Sequence, residues 1–122
     1  MSREIKFRVW DKKKKEYLKS SQKVFHPLVY YYPLNAIFKR SPKTLVFQQF
    51  TGLKDKNGKD IYEGDIIEYP EKDKYVIEYG RYDRFHLGFY MRYLDSVFEI
   101  GDARVRVVGN VFENPELLKN YE

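Results

Sequence analysis

The sequence predicts a mainly β, α+β fold: an SH3-like small barrel or a strongly bent antiparallel sheet of five or six strands, with a short C-terminal helix and a long insertion. Two observations carry this prediction. Short stretches rich in β-branched and aromatic residues recur along the chain, and turn sequences separate them. The first stretch alternates apolar and charged residues. The chain has 122 residues, 43% of them hydrophobic, so we assign residues 1–122 to a single domain.

The first predicted strand spans Arg3–Trp10, where the period of two predicts one buried face. The lysines Lys12–Lys15 follow as the exposed tip of a hairpin, and the return strand starts at Tyr17. Thr44–Phe50 is predicted as the next major strand because β-branched and aromatic residues dominate it.

The C-terminal half continues the series of strands. Asp55–Lys59 contains Asn-Gly, whose residues tolerate positive φ, and is predicted to be a tight turn. Asn114–Glu116 is typical of a helix start, with a capping Asn, a Pro in the first turn and an acid near the positive end of the helix dipole. The remaining predicted strands are Asp65–Tyr69, Tyr75–Tyr79, Phe85–Tyr93, Ser96–Ile100 and Arg104–Val111.

The insertion, residues 20–43, does not follow the strand rhythm. It contains three prolines and the consecutive tyrosines Tyr30, Tyr31 and Tyr32. Within it, Leu34–Lys39 has the spacing of a short helix. Long loops in compact domains are often binding elements, so this segment is where we expect contact with a partner.

Three sequence blocks resemble the YopX family, small proteins carried mainly by bacteriophages and prophages. They are REIKFRVWD at 3–11, FTGLKDKNGKDIYEGDII at 50–67 and VGNVFENPELL at 108–118, in the family's order. Residues 19–44 and 70–104 carry no family motif. The resemblance implies a phage or prophage protein, but it brings no activity, cofactor or catalytic residue.

The residue types argue against an enzyme. There is no cysteine, no nucleotide-binding glycine motif, and no serine near His26 or His86, which stand sixty positions apart. Acid–base work by the paired carboxylates Glu63 and Asp65 is harder to dismiss, although nothing around them predicts a raised pKa. We therefore predict no catalytic residue, no cofactor and no metal site. The longest apolar run is too short to cross a membrane, and no signal segment is present, so the cytoplasm of a bacterial host is expected.

Charge is divided unevenly along the chain. Residues 1–50 carry 12 Lys and Arg against three acids, a net charge of +9, whereas residues 51–122 carry 11 against 15, a net charge of −4. This asymmetry indicates an acidic partner or head-to-tail attraction between copies; the alternative is that the charges intermix on one folded surface. A nucleic-acid interface would use Lys12–Lys15, Lys39 and Arg40, with the Tyr30–Tyr32 rings stacking on bases.

The abundance of tyrosine favours protein association. Twelve tyrosines exceed what a small core usually needs, and tyrosine is enriched at interfaces. The expected function is that of a non-catalytic accessory protein that acts through protein binding. We expect a homo-oligomer with Tyr30, Tyr31 and Tyr32 at the interface. An unidentified host or phage protein is expected as a further partner. The alternative is a nucleic-acid-binding module.

Overall fold

The computed structural model describes residues 6–17, 44–81, 87–93, 96–100 and 104–121, with the backbone alone for 119–121. The chain divides into two compact units, Met1–Gly52 and Leu53–Glu122. Paired antiparallel strands build both units, so the predicted mainly β class is confirmed. The described residues form nine strands, arranged as one sheet of four strands and one sheet of five. The assignment of a single domain stays a prediction.

The first unit holds three strands in the order β2-β1-β3. They are β1 (Phe7–Asp11), β2 (Glu16–Tyr17) and β3 (Leu45–Lys54), and β3 continues past the end of the unit. The expectation of one buried face on the first strand is wrong. Three consecutive residues of β1, Arg8–Trp10, are buried, so both faces of the strand are covered.

The buried Arg8 is accommodated by polar and aromatic contacts. Its Nε donates a 2.8 Å hydrogen bond to Oε1 of Gln48, and the Tyr17 hydroxyl donates to the same oxygen at 2.8 Å. The guanidinium also lies 4.8 Å from the centre of the Tyr17 ring. These contacts replace water around the charge, which is why an arginine is tolerated at a position with 9% exposure.

The second unit contains a five-stranded antiparallel sheet with the order β8-β7-β6-β5-β9. A short strand, β4, precedes it and lies beside the end of β3. The bounds are β4 Asp60–Tyr62, β5 Asp65–Glu68, β6 Lys74–Arg81, β7 Leu87–Tyr93, β8 Ser96–Phe98 and β9 Arg106–Asn110.

One face of this sheet forms the core of the second unit. Ile77 of β6 is paired with Met91 of β7, and Ile67 of β5 is one strand away on the same face. Ile61 and Val105 complete the buried cluster. All five side chains are at most 7% exposed. Apolar side chains at alternate positions of these strands therefore face one core, as the two-residue period of a β-strand predicts.

Turn chemistry agrees with the sequence-based prediction in two places. Gly58 has φ +81° in the turn after Asp55, as the Asn-Gly pair predicts. Gly64 has φ +86° between β4 and β5, and Oδ2 of Asp65 accepts a 2.7 Å hydrogen bond from the backbone N–H of Tyr62. An L-side chain at either glycine is strained, because positive φ brings its Cβ against the backbone.

The C-terminal helix is a 3₁₀ helix, Pro115–Tyr121, with Glu116 in its first turn. Asn114 does not cap it as expected. Its Oδ1 turns back and accepts a 3.2 Å hydrogen bond from the backbone N–H of Asn110. This orientation depends on Gly109, since a Cβ there would lie 2.6 Å from the same oxygen.

The insertion at residues 20–43, with its predicted helical segment Leu34–Lys39, lies outside the described residues. Among the residues that are described, no helix has the length and apolar character needed to cross a membrane.

Candidate functional site

The lysines Lys12–Lys15 form an exposed turn between β1 and β2, as predicted. Oδ1 of Asp11 accepts hydrogen bonds from the backbone N–H groups of Lys13 and Lys14, at 2.9 and 3.1 Å. The turn is therefore held by hydrogen bonds between its backbone and the Asp11 side chain, and all four lysine side chains are exposed to solvent.

The other predicted site residues cannot be placed. Tyr30–Tyr32, Lys39 and Arg40 lie outside the described residues, as do His26 and His86. Their roles in an interface or in nucleic-acid binding stay predictions.

A cluster of charged side chains surrounds Glu68, which sequence reasoning did not select as a site. Glu68 ends β5, and the strand register places Lys74 of β6 and Arg106 of β9 directly opposite it. Its side chain is 7% exposed. Three neighbouring strands thus deliver one buried carboxylate and two cations to the same point of the sheet.

The contacts around Glu68 are short. Arg106 donates to Oε1 from Nη2 at 2.7 Å and from Nε at 3.2 Å, and Nζ of Lys74 lies 3.2 Å from Oε2. A third cation, Lys72, has its Nζ 3.9 Å from Oε1. The hydrogen bond from Arg106 opposes the effect of burial and, together with Lys74, holds the pKa of Glu68 below its usual value. The carboxylate therefore stays ionised at neutral pH.

A cavity of about 390 Å³, open to solvent, adjoins this cluster. Its walls come from the turn after β3, the end of β5, the turn between β5 and β6, and the start of β9. The lining residues are Lys56, Asn57, Glu68, Tyr69, Pro70, Lys72 and Arg106. Three cations and one carboxylate give these walls a net positive charge.

Asp55 holds the rim of the cavity in place. Its Oδ1 accepts hydrogen bonds from the backbone N–H groups of Asn57 and Lys59, at 2.8 and 2.9 Å, and its Oδ2 accepts one from Val107 at 2.9 Å. Burial acts to raise the pKa of Asp55, but these backbone donors outweigh it and lower the pKa. Both carboxylate oxygens of Asp55 accept backbone hydrogen bonds, so Asp55 stabilises the tight turn that the sequence predicts.

Of the two carboxylates considered for acid–base chemistry, Asp65 makes a structural contact. Asp65 is 1% exposed and bonds the backbone of Tyr62, while Glu63 lies in the turn between β4 and β5. Within the described ranges, no group of three or more His, Cys, Asp or Glu is placed to hold a metal ion.

A second candidate surface is the apolar rim, which we define as Tyr79, Leu87, Phe89 and Phe98. The registers of β6, β7 and β8 place these four side chains on the same face of the sheet as the core residue Met91. Tyr79, Leu87 and Phe98 are 48%, 66% and 42% exposed. The Tyr79 and Phe89 rings meet edge to face with their centres 4.9 Å apart. Large apolar side chains on this face of the sheet therefore remain exposed to solvent, although Met91 on the same face is buried.

A family model and a solved structure are similar to this chain. The model of the YopX protein family matches residues 6–119. The chain belongs to the YopX family. The crystal structure of protein EF1440 from Enterococcus faecalis is similar to this YopX-family chain, with 28% sequence identity and a TM-score of 0.63 over 97% of this chain and 100% of that one. Comparison with curated sequences gave no significant match.

These findings confirm the resemblance carried by the three sequence blocks. One of the blocks supplies walls of the cavity, since Lys56 and Asn57 belong to the block at 50–67, whereas Glu68 and Arg106 lie outside the blocks. Lys72 lies in the stretch where no family motif was found.

Proposed function

We propose that this YopX-family chain is a non-catalytic accessory protein of a bacteriophage or prophage, acting in the bacterial cytoplasm through protein binding as a homo-oligomer. The observation that carries the proposal is the apolar rim. Three large apolar side chains exposed on one sheet face are a common mark of a protein interface. Family membership supports the phage setting.

A second copy of the chain is the partner that the charge distribution favours. The rim lies in the half with a net charge of −4, whereas residues 1–50 carry +9. Opposite charge attracts the basic half of one copy to the acidic half of another. Such a head-to-tail contact uses different surfaces on the two copies and closes into a ring when the rotation allows it.

Light scattering on two matched variants tests this proposal. Phe98 lies on the rim, while its neighbour Val97 is 38% exposed and points to the opposite face, paired with Arg92. We expect Phe98→Glu to shift the protein to its monomer mass of 14.8 kDa and Val97→Glu to leave the assembly intact. Circular dichroism checks that both variants are folded.

Two results contradict the proposal. A parent protein that stays monomeric at high micromolar concentration removes the homo-oligomer. Equal dissociation by Phe98→Glu and Val97→Glu removes the assignment of the interface to the rim.

Nucleic-acid binding is the second candidate, favoured by the basic turn. Its four consecutive lysines are exposed to solvent, and a phosphate backbone releases counterions when such lysines bind it. The salt dependence of binding, compared between the parent protein and a variant with these four lysines changed to glutamine, tests this candidate.

A further inference from the structure

We propose that the cavity beside Glu68 binds a small phosphate-bearing ligand, with Lys56, Lys72 and Arg106 as the groups that hold the phosphate. The residues that line this site belong to neither the apolar rim nor the basic turn. Three features of the cavity favour such a ligand: its excess of positive charge, the donors that internal contacts leave unused, and its size.

The charge balance at the cavity is uneven. Glu68 is the one carboxylate among the lining residues, and its two oxygens already receive Arg106 and Lys74. Lys72 lies 3.9 Å from Glu68, beyond ordinary hydrogen-bond distance. Among the lining residues, the three cations Lys56, Lys72 and Arg106 exceed the one carboxylate by two charges. A multiply charged anion restores the balance, and a phosphate group carries about two negative charges at neutral pH.

Several of the lining side chains are exposed to solvent and keep donors that internal contacts do not use. Within the described part of the chain, the Lys56 side chain is exposed and makes no ion pair, and the side-chain amide of Asn57 has no hydrogen-bond partner. The Lys72 side chain is 74% exposed. Arg106 presents the rest of its planar guanidinium, a geometry suited to phosphate oxygens.

The frame that carries these groups is preorganised. The backbone N–H of Lys56 donates to the carbonyl of Val105 at 3.0 Å, so the turn after β3 is fixed beside β9. The backbone N–H of Lys72 donates to the carbonyl of Tyr69 at 2.8 Å, and Lys72 has φ +76°, which is unusual for lysine. A fixed backbone lowers the ordering cost of binding.

The size of the cavity selects a small ligand. Its volume of about 390 Å³ falls near the lower end of the range for small-molecule sites. The walls are largely polar, so charge rather than apolar contact provides the recognition. The phosphate can come from a free nucleotide or from the backbone of a nucleic acid, and the test separates these sources.

Isothermal titration calorimetry of the full chain with inorganic phosphate, AMP, adenosine and an eight-nucleotide oligothymidylate tests the site. We expect AMP to bind and adenosine not to bind. Lys56→Gln and Lys72→Gln should each weaken AMP binding about tenfold, since a charge-assisted contact contributes about that factor. Lys59→Gln is the matched control, because Lys59 is exposed in the same turn but does not line the cavity.

A further variant distinguishes ligand binding from a purely structural charge cluster. Glu68→Gln keeps the side-chain size and removes the one negative charge that repels an anion, so it should tighten AMP binding severalfold. Lys56→Gln and Lys72→Gln change exposed side chains, so both variants should fold. Their AMP affinities still test the proposal if Glu68→Gln fails to fold.

The outcomes separate cleanly. AMP binding that depends on Lys56 and Lys72 supports a free phosphate ester. Tighter binding of the oligothymidylate through the same two lysines supports the same phosphate chemistry supplied by a nucleic-acid backbone. No heat with phosphate, AMP or oligothymidylate at millimolar concentration overturns the proposal, as does an equal loss of affinity with Lys59→Gln.

Discussion

The carboxylate of Asp55 accepts a 2.9 Å hydrogen bond from the backbone N–H of Val107, 52 positions further along the chain. Because the same carboxylate also organises its own turn, one side chain fixes a local hairpin and joins it to β9. The rim of the Glu68 cavity is held in place by this contact.

Replacing Asp55 should therefore be costly. Asp55→Ala leaves three backbone N–H groups without their acceptor, and we expect a loss of about 2–4 kcal/mol in the free energy of unfolding. Denaturant unfolding measures this loss. Asp73→Ala, at an exposed carboxylate, is the control and should stay within about 0.5 kcal/mol of the parent. Equal losses in the two variants would contradict the bridging role of Asp55.

Stability should fall in acid because of Asp55 and Glu68. The folded protein lowers the pKa of both carboxyl groups, so the unfolded chain binds protons first as the pH falls. Their stabilising contribution is complete above the usual carboxyl pKa values and is lost as the pH drops below about 4. Thermal unfolding between pH 7 and 3 measures this loss, and Glu68→Gln should flatten the pH dependence. An unchanged slope in that variant would argue that Glu68 has an ordinary pKa.

A methyl group added at Gly109 should destabilise the end of β9. The new Cβ would lie 2.6 Å from Oδ1 of Asn114, so the Asn114 side chain must move and lose its bond to the backbone of Asn110. We expect Gly109→Ala to cost about 1–3 kcal/mol. Gly88→Ala is the matched control, because nothing lies within 4 Å of its added Cβ and its φ is not in the left-handed region. If chemical unfolding shows that Gly109→Ala lowers the free energy of unfolding no more than Gly88→Ala, the Asn114 side chain does not pack over Gly109.

The basic turn offers a direct test of nucleic-acid binding. If Lys12–Lys15 contact phosphates, changing all four to glutamine should flatten the log–log salt slope by up to about 0.9 per lost contact on duplex DNA, or about 0.7 on single strands. Fluorescence anisotropy with single- and double-stranded probes measures this slope. Absence of parent binding at about 50 mM salt, where the electrostatic contribution is strong, would discard the nucleic-acid alternative.

The tyrosines of the insertion separate stacking from self-association. A change of Tyr31 to alanine should cost about 1–3 kcal/mol of binding if the ring stacks on a base, with little change in salt slope. If Tyr31 lies at an interface between copies, the same change should shift the protein toward monomer in light scattering, while the four-lysine variant keeps its assembly.

Local chemistry made much of the fold predictable. The Asn-Gly pair before Lys59 predicted a turn, and Gly58 adopts the positive φ that such a turn requires. The lysines Lys12–Lys15 interrupt an apolar alternation and form the turn expected of them. Pro115 marks the start of the last helical segment. Each signal depends on residues a few positions apart, so the sequence alone carried it.

Some local patterns were overridden by packing. Alternation in β1 predicted one buried face, but Arg8 is buried because Gln48 and Tyr17 receive it. The capping preference of Asn114 gave way to a contact over Gly109. Gln48 lies 40 positions from Arg8, and the orientation of Asn114 depends on the space above Gly109, so neither exception follows from strand alternation or capping preference.

The candidate ligand site belongs wholly to the tertiary structure. In sequence, Glu68 is one acid at the end of an apolar strand, and Lys72 and Arg106 are ordinary surface charges in different segments. Only the pairing of β5 with both β6 and β9 brings Lys74 and Arg106 to the same carboxylate. The sequence by itself determined the strands and turns, because those depend on short-range backbone preferences. Strand order and register decided where the charges meet, because they depend on which apolar faces the folded chain buries together.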